Sequence, residues 1–490
     1  TQLRCCHCHA GGQGQARVAE SRLWDSDARL RLGANRLALR GAFGAPGDQV
    51  TFQASGDQLG VIHPALSGRL GAAGTLGGSL AAPSGEIDIE ADDLGWGRDY
   101  RIGKLRARAR AERGLDGNLA LTAEVARLRL PGFDMERGGV DAAGTRGRHT
   151  LRLSASNADF DLDADLAGGL ADHRDKPLWR GHVDRLANRG RFPLDLLAPA
   201  RLQAGAEHLR LEAAAVAALG ARFNIRELDY APGRLRGAGE FSGLGIDALK
   251  PLRQWPATLG GDLVLGGDWR VDAGETLSGQ LGLARERGDL VLADTALGLK
   301  RLRLAATAEN NQLRASLEAE GGRLGNLRAN GTSRLSRRDG VWGLGGDAPL
   351  RAEADLALKS LAWAAPLLDK RGISALDGQL DAHLTADGSL AAPRLSGTLG
   401  GERFSLALPE HGLRFNDGRF LAELRQDRLE LKRLSLRGGD GGLTAQGSLA
   451  LREARPDLRL ALRADKLTVI SRPDHLLVLS GDGNLALAAD

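Results

Sequence analysis

The chain reads as all-β: an elongated, strongly curved antiparallel sheet, a U-shaped, taco-like β-groove with an apolar Leu-rich interior and a few short helices. Three observations predict this. Apolar residues recur at spacing two, which puts them on one face of a strand and the intervening residues on the other. Short turn signals rich in Gly, Asp and Asn separate the apolar runs. Glycine supplies 68 of the 490 residues, about twice its usual ~7%.

The pattern is clearest over residues 378–469. Leu395, Gly397 and Leu399 are followed by Phe404, Leu406 and Leu408, then Leu413 and Phe415. Phe420, Ala422 and Leu424 precede Leu429 and Leu431, then Leu434 and Leu436. Leu443, Ala445, Gly447, Leu449 and Leu451 lead to Leu458, Leu460 and Leu462. Between them stand polar residues such as Arg403, Ser405, Glu430, Lys432, Arg459 and Arg463. The candidate groove-lining set is therefore Leu395, Leu399, Phe404, Leu406, Leu408, Phe415, Leu429, Leu431, Leu434, Leu436, Leu458, Leu460 and Leu462, with Glu430 and Lys432 facing water.

Along the chain, residues 1–20 lie outside the alternation and are expected to be a disordered tail. Residues 21–245 form the first part of the groove, 246–256 a short helical break and 257–490 the second part. Apolar spacing slips by one between Val125 and Leu128, Leu299 and Leu302, and Leu431 and Leu434. One extra residue is what a β-bulge or sharp bend requires. Three stretches have helical spacing or proline bounds: 191–199, 246–256 and 358–368. The hexapeptide Gly-Ser-Leu-Ala-Ala-Pro at 78–83 and 388–393 is a loose internal repeat. It fits a stacked architecture in which each strand touches its neighbours.

Composition narrows the function. Aromatics are 4% and Met occurs once, which argues against a large compact enzyme core. The charge of +4 is dispersed, and without a basic block the chain does not read as a nucleic-acid binder. Cys5-Cys6-His7-Cys8-His9 resembles a metal cluster, but the next His is His63, so no second ligand pair closes a tetrahedron. Asp159, Asp161, Asp163 and Asp165 sit too far apart along a strand to converge on calcium, and read as a solvated acidic face. Nucleophile, zinc-protease and phosphate-loop motifs are missing, so neither catalysis nor a cofactor is expected. A continuous Leu-lined face needs a ligand or partner to cover it. Acyl chains fit, since they ask for no polar handle.

Several stretches carry a family resemblance. They are residues 179–186 (Trp-Arg-Gly-His-Val-Asp-Arg-Leu), 239–252 and 376–487. The last holds Gly388, Leu390, Pro393, Leu395, Gly397 and Leu399 in a Gly-x-Leu-x-x-Pro-x-Leu-x-Gly-x-Leu form, and Arg472-Pro473-Asp474 before its closing strand. In their order these resemble the TamB family of AsmA-like bacterial envelope proteins, across residues 21–490. The resemblance implies a bent β-sheet with a greasy groove, similar to chorein-type bridge-like lipid transfer proteins. It implies a periplasmic protein, anchored in the inner membrane by an N-terminal helix missing from this central piece, that carries phospholipids to the outer membrane. The alternative it implies is a scaffold acting with a TamA-type outer-membrane barrel, through a C-terminal domain beyond Asp490, in inserting β-barrel proteins and autotransporters.

Overall fold

The computed structural model describes the chain except residues 1–3, 6–7, 16–17, 20–21, 80–81, 115–116, 174–175, 253–257, 293, 339, 365–374, 409–412, 427, 453–454, 472–474 and 489–490. The described residues are mostly strand, and the helices among them are short 3-10 segments, Leu59–Val61, Ile246–Leu252 and Ala362–Ala364. The chain divides into two compact units. One holds residues 1–219 and 224–232, the other 220–223 and 233–490.

In the first unit the strands run as an antiparallel meander. Arg22–Leu32, Asn35–Phe43, Gln49–Gly56, Leu66–Gly78, Pro83–Trp96 and Tyr100–Ala111 each pair with the next. Leu119–Leu130, Phe133–Thr145, Arg148–Ser156, Asp161–His173 and Lys176–Asn188 continue the ladder. Two short strands, Leu194–Leu196 and Ala200–Gly205, share the far side of Lys176–Asn188. The helical turn expected at 191–199 is thus a broken strand. Pro193 precedes the first piece and so takes no N–H from its ladder.

The second unit repeats the plan from Arg234–Gly245 to Leu476–Ala488. One patch of true core interrupts it: buried Ile246, Leu263, Leu297 and Leu299, with Leu290, Leu292 and Trp363 packed against them. The expected break at 246–256 is therefore part of this unit, because Ile246 is buried in its core. The units divide instead within 219–233.

The expected tail also differs. Cys8–Gln15 is a strand paired to Arg22–Leu32, with Gly12 opposite Leu30 and Gly14 opposite Ala28. Glycine facing leucine gives no apolar alternation to read. A Cβ on Gly12 would come within 3.0 Å of Leu30 Cδ2.

The slips in spacing are aligned across strands. In the first unit the alternation resets at Gly68, Asp93, Gly103 and Arg127, and Gly68, Asp93 and Arg127 have φ of 92°, 48° and 53°. Arg127 lies over Gly103, where a Cβ would sit 2.5 Å from its Nε, and approaches Asp93 at 3.9 Å. A left-handed residue that is not glycine costs of order 1–2 kcal/mol, so neighbours must hold the kink in place. In the second unit Gly378, Arg403 and Asp417 have φ of 143°, 54° and 50°. The ladders between these strands shift there, and again between Leu431 and Leu434. Each unit is thus creased across its strands.

Elsewhere flatness depends on glycine. Trp179 is 8% exposed, and its ring covers Gly168 and Gly181. A Cβ on Gly181 would meet Ala167 O at 2.2 Å and the indole Cη2 at 2.6 Å, whereas one on Gly147 would meet nothing. Gly181→Ala is expected to cost about 1–3 kcal/mol as an overpacked site, and Gly147→Ala to stay within about 0.5 kcal/mol of neutral. Urea unfolding midpoints of the two variants check this.

Candidate apolar groove

Paired residues of adjacent strands share a face, so the register assembles the groove directly. In the second unit Leu384 faces Gly397, and Ala382 faces Leu399. Gly397 and Leu399 face Leu424 and Ala422, and Leu406 faces Phe415. Leu424, Ala422 and Phe420 face Leu429, Leu431 and Leu434. Those face Leu449, Gly447 and Ala445, and Leu436 faces Leu443. Leu458, Leu460 and Leu462 complete the rows opposite Leu449, Gly447 and Ala445.

All thirteen sequence-selected residues lie in these strands. The register brings twelve onto one face, and the side chain of Leu408 lies outside the described set. The twelve are half-buried except Leu395, which is 41% exposed. Small residues sit among them: Ala422 and Ala445 are buried. The pattern alternates large and small side chains across the sheet, so leucines pack over alanine and glycine without a second layer.

Sequence reasoning left the first unit's face without site residues. There a cleft of about 730 Å3 is lined by Leu76, Ile87, Leu119, Leu121, Leu151 and Leu170. A second, of about 440 Å3, lies against Leu30, Leu32, Leu37, Leu59, Ile62 and Leu70. The signal was present: Ile87 and Ile89, and Leu119 and Leu121, have the same spacing of two. One polar pair lies at this face. Trp179 Nε1–H donates to His149 Nε2 at 2.9 Å, which puts the imidazole proton on Nδ1, where it donates to Thr145 O at 2.9 Å.

The opposite face is ionic. Glu86, Asp88, Glu90 and Asp92 stand opposite Arg110, Arg108, Arg106 and Lys104. Asp161, Asp163 and Asp165 stand opposite Ser156, Ser154 and Arg152, with Arg152 Nε 3.2 Å from Asp165. Asp159 precedes that strand and lies 3.8 Å from Arg191. Lys432 lies 2.8 Å from Glu430 and 3.3 Å from Glu423. Its ammonium holds both carboxyls below the usual Glu range, and they raise the Lys432 ammonium in turn.

Glu353, Asp355 and His383 also meet on this face, their ligand atoms all within 4.8 Å of one another. Asp355 pairs with His383 across the ladder, a proximity that separation in sequence conceals. His383 Nδ1 is 2.7 Å from Asp355 Oδ1, and Nε2 is 3.6 Å from Glu353. The exposed trio is explained as an ion pair network. The hydrogen bond to Asp355 raises the His383 pKa. A raised folded-state pKa contributes stability below the unfolded pKa of about 6.5, lost as pH rises through the folded value. His383→Asn is therefore expected to flatten the fall in thermal midpoint between about pH 6 and pH 8. An unchanged profile would place the pH dependence elsewhere.

No helix among the described residues is long and apolar enough to cross a membrane. No curated protein and no solved structure matches the chain. Residues 10–191 match the family described as TamB, N-terminal domain. That match takes in the glycine-rich strand before Gln15 and the stretch at 179–186. The stretches at 239–252 and 376–487 lie outside it. Over residues 10–191 the chain is therefore similar to the N-terminal domain of the TamB family.

Proposed function

We propose that the apolar face of each unit seats phospholipid acyl chains, and that the chain is part of a periplasmic bridge carrying phospholipids between the inner and outer membranes. Its role is to bind and guide rather than to catalyse. The observation that carries this reading is the sorting of the two faces. Strand after strand, leucine, alanine and glycine meet on one side, while paired charges meet on the other. An uncovered apolar surface of this extent is unfavourable in water, and a hydrocarbon chain covers it without requiring a polar partner. Dimensions agree. Beyond the crease in Arg428–Gly438 lie residues 434–438, an arm of about 17 Å at ~3.4 Å per residue. One leaflet's hydrocarbon is about 15 Å thick.

The test is photocrosslinking in the full-length protein in cells. Probes at Leu431 and Leu434 are expected to capture phospholipid, and probes at Lys432 and Arg437 are not. Leu434→Arg is expected to cut transfer about tenfold or more, since a charge on this face meets hydrocarbon at a cost of several kcal/mol. Leu434→Met should transfer normally. Lys432→Glu sets three carboxylates together, so it should lower the thermal midpoint while leaving lipid capture intact. Equal labelling of both faces would overturn the reading. Adducts to polypeptide alone would favour the scaffold acting with a TamA-type barrel.

A further inference from the structure

The two rims of the first unit's sheet are unlike. Four successive connections on one rim, at 96–100, 130–133, 156–161 and 188–194, each carry a Phe, Tyr or Trp ring, and the preceding one, 56–66, carries His63. On the other rim the connections at 78–83, 111–119 and 145–148 carry no Phe, Tyr or Trp, and Phe43 stands at the edge of the one at 43–49. In a chain with only 4% aromatics, this placement is not a by-product of composition.

The rings are presented rather than buried. Trp96 is 50% exposed and Tyr100 48%. Phe133 and Phe192 are exposed as well. They are also ordered: His63 stacks on Trp96 at 4.8 Å, Phe133 on Phe160 at 6.1 Å, and Arg191 lies over Phe192 at 5.4 Å. Trp96 faces Leu66 and Tyr100, and Phe133 faces Leu130. Beyond the crease these positions continue the alternation of Leu94, Ile102 and Leu128, so the rings end the apolar face where it meets water.

Rings with a polar tip, here Trp96 and Tyr100, prefer the boundary between hydrocarbon and water, and Phe133 extends the apolar face up to them. Resting on the lipid reading above, we infer that this rim is the interfacial lip of the groove. The glycerol–headgroup boundary of a bound phospholipid lies along Trp96, Tyr100 and Phe133. Its tails run inward across the crease, and its headgroup projects beyond this rim and not the opposite one.

Two phosphatidylethanolamine probes test this on the full chain, one with a diazirine on the headgroup and one with a diazirine at the acyl terminus. Adducts are mapped by peptide mass spectrometry. The tail probe is expected at the strands carrying Leu121 and Leu151. The headgroup probe is expected at 96–100 and 130–133 over 111–119 and 145–148 by about tenfold, a preference of about 1.4 kcal/mol. Replacing Trp96, Tyr100 and Phe133 together by Ala should bring that ratio close to one while tail labelling persists. Equal headgroup labelling of both rims, with tails still in the groove, would overturn the lip and leave the lipid reading standing. Failure of the tail probe to label the apolar face would overturn the lipid reading and the lip with it.

Discussion

Strand register is the constraint on which everything else here depends. Side chains alternate with a period of two, so a slip of one residue would turn a strand's leucines to water and its charges to the groove. The first unit guards its register with opposed charges: four acids on Pro83–Trp96 stand against four bases on Tyr100–Ala111. Surface pairs of this kind add little stability individually. Their value lies in penalising misalignment, since a slip of one would face acids with alanine, leucine or glycine. The same logic explains why the creases are shared. A bulge in one strand alone would put its two ends out of step with its neighbours, whereas Gly68, Asp93, Gly103 and Arg127 reset the phase together.

A sheet read this way is nearly two-dimensional. Its large apolar residues are mostly half-buried, and Leu263 is the largest fully buried one. Stability has to come from ladder hydrogen bonds and from neighbours on the same face, with little contributed by a second layer. Leu and Ala serve here despite weak β-propensity, because the flanking rows decide what fits. The compact exception around Ile246, Leu263, Leu297 and Leu299 gives the second unit the nearest thing it has to a conventional core.

The fold class was legible because alternation is a local signal. Leu429, Leu431, Leu434 and Leu436 announce two strand arms and the bend between them without reference to any partner. Three kinds of feature were not legible. Glycine opposite leucine, as at Gly12 and Leu30, forms a groove row without an apolar letter. Short proline-bounded pieces such as Leu194–Leu196 match a turn and a strand equally well. Meetings across the ladder, such as Asp355 with His383 or Lys432 with Glu423, depend on the register between strands and not on any one of them. The aromatic rim was hidden for the same reason, since its residues share an edge only after every hairpin has closed.

The pairing of almost every strand with its successor also bears on how the molecule is made. Contacts between sequence neighbours require only short loops to close, and the entropy lost in closing a loop grows with its length. A chain of this design has no need to hold an early segment open until a distant one arrives. Each hairpin can lock as it emerges and present a finished edge to the next, in the manner of stacked repeats. Assembly then proceeds from one end like a zip, and at any moment a single growing edge is exposed to unwanted partners.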